Sequence, residues 1–261
     1  MSARVTPTFS APARVAIAAT FAAALLLSLS VTAGESLDIA INGLSGEPLS
    51  NVQASMRIEQ QRLAPDLDAT TIRELHTAAE AEIRRALEPF GYYRPEITTL
   101  LIPPAIAGTP WKAIYTIDPG PPVPIGETTD NFTGPGANDD ALATLAETLR
   151  PAAGTALDHR AYETDKRALL EGVKNLGYLD AAYTTHRVAV DLARYTSNIT
   201  LEIATGSRYV FGSITFEQDT FDPQYLAQYL ILQPGQAFSK AAVDRQRRTL
   251  SRSGFFQEVT I

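Results

Sequence analysis

Three histidines are the side chains of this 261-residue sequence that most invite a chemical interpretation, because imidazole can bind a metal or transfer a proton. His76, His159 and His186 lie far apart, and none has the HExxH spacing that places two histidines on one face of a zinc-binding helix. The sequence has no cysteine, which excludes thiol catalysis and thiolate metal sites. We therefore interpret the three histidines as structural residues.

The carboxylates and the glycine-rich turns do not indicate a catalytic or phosphate-binding site either. Asp139-Asp140 and Asp158 precede helical patterns, where a carboxylate caps the helix and complements its dipole. Ser239 precedes another such pattern and is a further good N-cap. The turns "GLSGE" and "GPGAN" do not match the phosphate-binding pattern GxxxxGK[ST]. The sequence thus predicts no enzyme, no cofactor and no metal. A pocket of convergent titratable groups with strongly shifted pKa values would instead indicate an enzyme.

The N-terminus has the pattern of an export signal. Arg4 and Arg14 precede an uncharged apolar run, and Val31 and Ala33 form the small-x-small pair that signal peptidase prefers. Residues 1–33 are predicted to be a signal peptide; the alternative is an uncleaved membrane anchor over Val15–Ala33. Two of the 22 basic residues lie in this segment, which leaves 20 basic against 29 acidic residues and a net charge of −9. An acidic chain without a basic stripe argues against nucleic-acid binding.

Three long helical patterns end in the same way, with a glycine followed by an aromatic residue. Apolar residues precede these glycines by four and eight positions, the spacing of one helix face. The glycines are Gly91, Gly177 and Gly254. The residues four positions before them are Leu87, Val173 and Leu250, and those eight positions before them are Ile83, Leu169 and Gln246. Glycine suits the left-handed turn that ends a helix. Gln246, with Ser253, is expected to weaken the apolar stripe of the third helix.

The segments around these helices repeat one order: strand, short helix, long helix, strand, strand. The strand-like runs "LDIAING", "PVPIGETT" and "RYVFGSITF" come first in each unit, and "RPEITTLLI" and "DAAYTTHRVAV" follow the glycine turns of the first two. The short helices are predicted in "PLSNVQASMRIEQQ", "NDDALATLAETL" and "DPQYLAQYLI". The predicted units span 34–119, 120–206 and 207–261. Each is an α+β domain with a three-stranded mixed sheet and two helices on one face.

The third unit ends at "FFQEVTI", before its last strand. A sheet that lacks one strand leaves backbone groups unpaired and apolar surface half covered. We expect the chain to be a fragment, with a truncated gene or a missing final strand as the alternatives.

These repeats resemble the POTRA domains of the outer-membrane assembly proteins of the BamA/TamA superfamily. Three in a row are more similar to the TamA branch, the translocation and assembly module, than to five-repeat BamA. The resemblance covers residues 35–261 and is carried by the motifs "LEPFGYYRPEI", "PGPPVPIG", "KRALLEGVKNLGYLDAAY", "GSRYVFGSITF" and "RQRRTLSRSGFFQEV". It implies three tandem POTRA domains, the third incomplete, and a C-terminal β-barrel of about sixteen strands that is absent from this chain.

The resemblance also implies a location and partners. The chain would be exported and lie at the periplasmic face of the bacterial outer membrane. Its partners would be a TamB-like inner-membrane-anchored protein, meeting the first repeat, and unfolded outer-membrane protein or autotransporter clients. Insertion of outer-membrane proteins is the family role, and phospholipid transport is a further one. Insertion by this chain alone is not expected, because the barrel is absent.

The strand after each Gly-aromatic turn is typically a sheet edge in POTRA domains, and an edge can accept an added strand from a client. We expect partner binding at these strands; the alternative is that they are solvated edges. The predicted partner-binding residues are Glu96, Ile97, Thr98, Thr99, Leu100, Leu101, Ala182, Tyr183, Thr184, Thr185, His186, Arg187 and Val188, within strands that extend to about Val190.

The last long helix is the basic part of the chain. The third unit has 6 basic and 5 acidic residues, whereas the first and the second each have 7 basic and 12 acidic. Arg245, Arg247, Arg248 and Arg252 lie on this helix, in the unit nearest the expected barrel. They are predicted to contact barrel turns or anionic lipid headgroups; the alternative is a plain solvated helix face.

Two functions are therefore expected. The first is the periplasmic region of a TamA-like assembly protein, which docks partner and client segments for outer-membrane protein insertion, with phospholipid transport as a further role. The alternative is a free-standing periplasmic scaffold or chaperone that binds clients by β-augmentation without a barrel. The sequence after Ile261 discriminates them: about sixteen alternating strands establish the first, and a stop codon favours the second.

Overall fold

The computed structural model describes residues 34–106, 108–218 and 220–261, so the predicted signal peptide lies outside the described residues. Two similar units, each a sheet with helices packed on one face, are followed by a helical segment. We call these two units the first layer and the second layer. The elements of the first layer are β1 Leu37–Asn42, α1 Gly46–Ser55, α2 Arg57–Gln61, α3 Ala69–Leu87, β2 Glu96–Ile102 and β3 Trp111–Asp118. Those of the second are β4 Ile125–Thr133, α4 Asp140–Leu149, α5 His159–Asn175, β5 Ala182–Asp191 and β6 Thr196–Ala204. The last segment contains α6 Pro223–Ala227 and α7 Lys240–Arg252.

Both sheets have the mixed topology that the repeat predicts. The first has the order β1–β3–β2, with β1 parallel and β2 antiparallel to β3. The second has the order β4–β6–β5, with the same strand directions. The α+β fold class is therefore confirmed.

Each sheet buries one face against its helices, because alternate strand residues point to opposite faces. In the first layer, Ala113, Tyr115 and Ile117 of β3 are buried together with Ile72 and Ile83 of α3. In the second layer, the core joins alternate residues of β6 to α4 and α5; its members include Ile199, Leu201, Ile203, Leu142, Leu169 and Val173. No helix of the described residues packs on the opposite face of either sheet.

The two N-caps predicted for long helices and the three predicted glycine turns are formed. Asp158 caps α5 by accepting a hydrogen bond from the Arg160 amide at 2.8 Å, and Ser239 caps α7 by accepting one from the Ala242 amide at 3.2 Å. The three glycine turns have positive φ angles: +82° at Gly91, +107° at Gly177 and +74° at Gly254. These angles are in the left-handed region that glycine adopts without strain.

The first short helix is divided, whereas the sequence predicts one helical segment over residues 48–61. Met56 adopts an extended conformation between α1 and α2, and its side chain is fully buried. The break lets Glu82 of α3 accept a hydrogen bond from the Arg57 amide at 3.0 Å, at the first turn of α2. Burial of Met56 and this cap stabilise a bend that the helical periodicity does not reveal.

The strand predicted over residues 208–216 is not formed. Val210 makes an isolated bridge with Ala237, and residues 207–218 and 220–261 contain helices but no strand. In the first two layers the first strand pairs only with the last one, so this segment has no partner for it. A groove of about 520 Å³, lined by apolar residues such as Ile214 and Leu232 and by polar ones such as Glu217, lies against α7 instead.

Candidate functional site

The two strands that follow the glycine turns lie at the edges of their sheets. β2 is hydrogen-bonded to β3 on one side, and no strand of the described chain pairs with its other side. β5 stands in the same relation to β6. The outer strands β1 and β4 are also edges, and the sequence interpretation did not single them out. The predicted residues 96–101 and 182–188 thus lie where outward backbone groups are available to an added strand.

β2 is a regular edge strand of seven residues. Its register with β3 is unbroken, from Glu96 opposite Asp118 to Ile102 opposite Lys112. Just before the strand, the Arg84 guanidinium donates a hydrogen bond to the Pro95 carbonyl oxygen at 2.8 Å, so this acceptor is already satisfied. The regular part of the edge begins at Glu96.

The edge of β5 is less regular because it contains a β-bulge between Tyr183 and Thr185. Thr184 and Thr185 both turn to Glu202: the Thr184 hydroxyl donates to its carbonyl oxygen at 3.3 Å, and the Thr185 hydroxyl to its carboxylate at 2.5 Å. Bulges bend a strand and are one of the ways in which proteins blunt an edge. The unbroken part of this edge therefore runs from Thr185 to Asp191.

The histidines make ordinary structural contacts and lie in different places. His76 Nδ1 is 2.9 Å from the Tyr115 hydroxyl; burial lowers the pKa of His76 and raises that of Tyr115. His159 Nε2 is 2.6 Å from the Tyr93 hydroxyl, and His186 packs edge-on against the Tyr183 ring. No group of metal-ligating side chains occurs in the described residues.

The predicted basic residues of α7 are all exposed to solvent. Arg247 forms an ion pair with Asp244 at 3.3 Å, and Lys240 approaches the same carboxylate at 3.1 Å. The hydrogen bond from Lys240, followed by the charges of Lys240, Arg247 and Arg248, holds the pKa of Asp244 below its usual range. One acidic residue on this helix is therefore shared among several cations.

A contact between the first and second layers is built around Gly91, and we call it the first joint. The Gly91 carbonyl oxygen accepts a hydrogen bond from the Val123 amide at 2.8 Å, and the Val123 carbonyl oxygen accepts one from the Leu157 amide at 2.8 Å. A β-carbon at Gly91 would overlap the Leu157 carbonyl oxygen. Glycine is thus required both for the turn and for the approach of the second layer.

Arg160 stabilises the first joint from its side. Its guanidinium pairs with Asp158 at 2.9 Å and with Glu47 of α1 at 2.6 Å, and it stacks over the Phe90 ring at 4.5 Å. Burial raises the pKa of Asp158, but the hydrogen bonds from the Arg160 side chain and from the amides of Arg160 and Ala161 outweigh it and hold this pKa below its usual value. The ion pair thus links α1 to the start of α5.

The same joint recurs at Gly177, and we call it the second joint. The Gly177 carbonyl oxygen accepts from the Tyr209 amide at 2.8 Å, and the Tyr209 carbonyl oxygen accepts from the Phe238 amide at 2.8 Å. A β-carbon at Gly177 would lie 2.7 Å from the Phe238 carbonyl oxygen. The sequence interpretation missed both joints, although the signal was there: an apolar run follows each glycine at a similar distance, "VPIG" in one case and "YVFG" in the other.

Comparison with known families agrees with this architecture. Residues 38–119 match the family described as POTRA domain TamA domain 1. Residues 38–119, about a third of the chain, are thus similar to a POTRA domain of this family. The matched range begins at the second residue of β1 and ends just after β3, so it includes nearly all of the first sheet and the helices that cover it.

Three solved structures of BamA or Omp85 domains align with most of the chain at low identity. POTRA3-5 of Haemophilus influenzae BamA is 19% identical, with 87% of this chain and 88% of that chain covered and a TM-score of 0.41. POTRA1-3 of Omp85 from Anabaena is 17% identical, with 87% of each chain covered and a TM-score of 0.33. The N-terminal domain of Omp85 from Thermosynechococcus elongatus is 15% identical, with 87% and 88% covered and a TM-score of 0.31. The similarity to POTRA domains therefore rests on the family match over residues 38–119.

POTRA domains are non-catalytic scaffold domains in the periplasm that bind proteins. None of the helices in the described part of the chain combines the length and apolar character needed to cross a membrane.

Proposed function

We propose that this chain is the periplasmic POTRA region of a TamA-like assembly protein, which docks partner and client segments as strands added to β2 and β5. Its partners are a TamB-like inner-membrane-anchored protein and unfolded outer-membrane protein or autotransporter clients, and phospholipid transport is a further role. The chain is exported to the periplasmic face of the outer membrane, and its units span 34–119, 120–206 and 207–261. The observation that carries this proposal is the regular, outward-facing backbone edge of β2.

The edge of β2 suits this role because main-chain hydrogen bonds give affinity without requiring one client sequence. β2 pairs without a bulge, whereas β5 has one near its start. A client that needs a long regular edge therefore binds β2, and β5 serves shorter segments. Two edges on consecutive units let one chain hold two segments at once.

Proline substitution in β2 tests the proposal, because proline removes one main-chain donor. Adjacent residues of a strand direct their amides to opposite sides, so one of Thr98→Pro and Thr99→Pro removes a donor from the outer edge and the other breaks the β2–β3 ladder. The variant with the native circular dichroism spectrum and unfolding curve is the edge variant. We expect it to bind an unfolded autotransporter β-domain about fivefold more weakly, because each lost hydrogen bond contributes about 1 kcal/mol.

Photo-crosslinking from a photoreactive residue at Glu96 measures this binding at the edge itself. Val188→Pro and Ala189→Pro form the matched pair for β5. Undiminished crosslinking of the client to every folded proline variant would show that the edges are only solvated.

The arginines of α7 form a second proposed contact, with anionic lipid headgroups or with the barrel turns at the membrane. Arg247→Glu with Arg248→Glu is expected to weaken binding to vesicles that contain phosphatidylglycerol, because each basic residue near such a surface contributes about 1 kcal/mol. Arg167→Glu on α5 is the control, since Arg167 is equally exposed but lies in an acidic unit. Equal vesicle sedimentation for the wild type and both variants would leave these arginines as a solvated helix face.

A further inference from the structure

The open face of the first sheet, defined as the face opposite its helices, carries a row of apolar side chains. Leu37, Ile39 and Ile41 of β1 pack in the core, so the alternation of the strand places Ala40 on the open face. The same alternation places Ile114 of β3 there, between the buried residues Ala113 and Tyr115.

The strand register makes this row continuous up to the edge. Ala40 is opposite Ile114, and Ile114 is opposite Leu100 of β2. Leu100 is 51% exposed and Ile102, the next open-face residue of β2, is 40% exposed. We call Ala40, Ile114, Leu100 and Ile102 the apolar stripe. It ends at the same β2 edge whose outer backbone groups no strand of the described chain covers.

The second sheet shows that this stripe is not imposed by the fold. Thr200 occupies the place of Ile114, since each lies six residues before the glycine that follows its strand, Gly206 or Gly120. Thr200 is paired with Thr129 on one side and Arg187 on the other. The row that reads Ala–Ile–Leu in the first sheet therefore reads Thr–Thr–Arg in the second.

We propose that the apolar stripe and the β2 edge together select an extended protein segment that is uncharged and carries bulky apolar side chains on its open-face positions. This inference rests on the proposed strand addition at β2. In an added strand, alternate side chains stand beside Leu100 and Ile102 at cross-strand distance. A charged side chain beside Leu100 would lose water without gaining a partner, because Leu100 lies opposite Ile114 and its open-face neighbours on β2, Thr98 and Ile102, are uncharged. Lys112 lies opposite Ile102, so an acidic side chain has a partner only at that end of the stripe.

The backbone edge and the charge of the unit favour a protein strand over a lipid surface. Outward N–H and C=O groups of β2 can be paired by a strand, but hydrocarbon cannot pair them. The first unit has 7 basic and 12 acidic residues, so an anionic membrane repels it. The occupant is thus an apolar strand, such as a lipid-facing segment of an unfolded membrane protein.

Two synthetic strand peptides test this selection on the whole chain. They differ only at alternate positions, which are leucine and valine in one peptide and serine and threonine in the other. We expect the wild type to bind the apolar peptide about tenfold more tightly than the polar one, since two or three cross-strand apolar pairs each add a few-fold. Leu100→Thr with Ile102→Thr removes that preference, so that the two peptides bind this variant with equal affinity. Fluorescence anisotropy of labelled peptides measures both, and the exchange of Thr129, Thr200 and Arg187 for Ala, Ile and Leu should create the preference at β5.

The outcomes separate the two proposals. If the wild type binds both peptides with equal affinity and the folded proline variant of β2 binds neither, the stripe does not select its client. Strand addition at β2 is then still supported. Failure of both peptides to bind the wild type overturns both proposals. Binding of phosphatidylcholine vesicles that depends on Leu100 and Ile102 overturns the selection in favour of a lipid surface.

Discussion

Replacing Gly91 by alanine is expected to open the first joint and to lower the free energy of unfolding by about 3 kcal/mol. A side-chain-bearing residue at a φ of +82° costs about 1–2 kcal/mol. The new methyl group also overlaps the Leu157 carbonyl oxygen, and no rotamer change relieves an overlap between a β-carbon and backbone. The second layer must therefore move away, which breaks the hydrogen bond from the Val123 amide and removes about 1 kcal/mol more.

Gly154→Ala is the matched control, because Gly154 has a φ of +84° but an added β-carbon there meets nothing within 4 Å. It should cost only the conformational part, about 1–2 kcal/mol. Urea unfolding of the first layer can be followed by the single tryptophan, Trp111, which is buried in that core. The two variants should differ most in the joint itself.

Spin labels measure the joint directly, because the chain has no cysteine and labels can be placed at Glu74→Cys on α3 and Glu171→Cys on α5. Gly91→Ala should broaden the distribution of distances between them, whereas Gly154→Ala should leave it as narrow as in the wild type. Equally narrow distributions in both variants, with equal losses of stability, would mean that the glycine serves the helix end alone.

The local part of this fold could be predicted because each signal lies within a few residues. Helix periodicity, a capping Asp158 and a glycine at the end of α5 all belong to one continuous segment. The sheet edges could also be placed, since the repeat resembles a known family whose strand order is fixed. The difference between the two edges could not be predicted from the sequence, because the bulge before Thr185 depends on how β5 pairs with β6.

The joints could not be predicted because they depend on contacts between residues far apart in the chain. Gly91 meets Leu157, 66 residues later, as Gly177 meets Phe238, 61 residues later. Gln246 was misinterpreted for the same reason, because its hydrogen-bond partners lie outside its own helix. The sequence interpretation took it as a weak point in an apolar stripe, but it is buried and accepts hydrogen bonds from the amides of Ile231 and Leu232 at 2.7 and 3.2 Å.

Glu82→Ala is expected to destabilise the first layer by about 2 kcal/mol. The carboxylate is 6% exposed and accepts hydrogen bonds from the Arg57 amide at 3.0 Å and from the Arg57 guanidinium at 2.5 Å. Its loss leaves the first amide of α2 without an acceptor, which costs about 1–3 kcal/mol. The guanidinium is 56% exposed and returns to water, so it adds little to this cost.

Glu80→Ala, two residues earlier on α3, separates this cap from an ordinary ion pair. Glu80 pairs with Arg84 at 2.8 Å, but both side chains are more than two-fifths exposed, so its loss should cost below about 1 kcal/mol. Tryptophan-detected urea unfolding compares the two variants. Amide hydrogen exchange at Arg57 and Ile58 should accelerate only in Glu82→Ala, because only that change releases the start of α2. Equal losses of stability with unchanged exchange would mean that Met56 alone holds the bend, and that the buried carboxylate contributes no more than a surface charge.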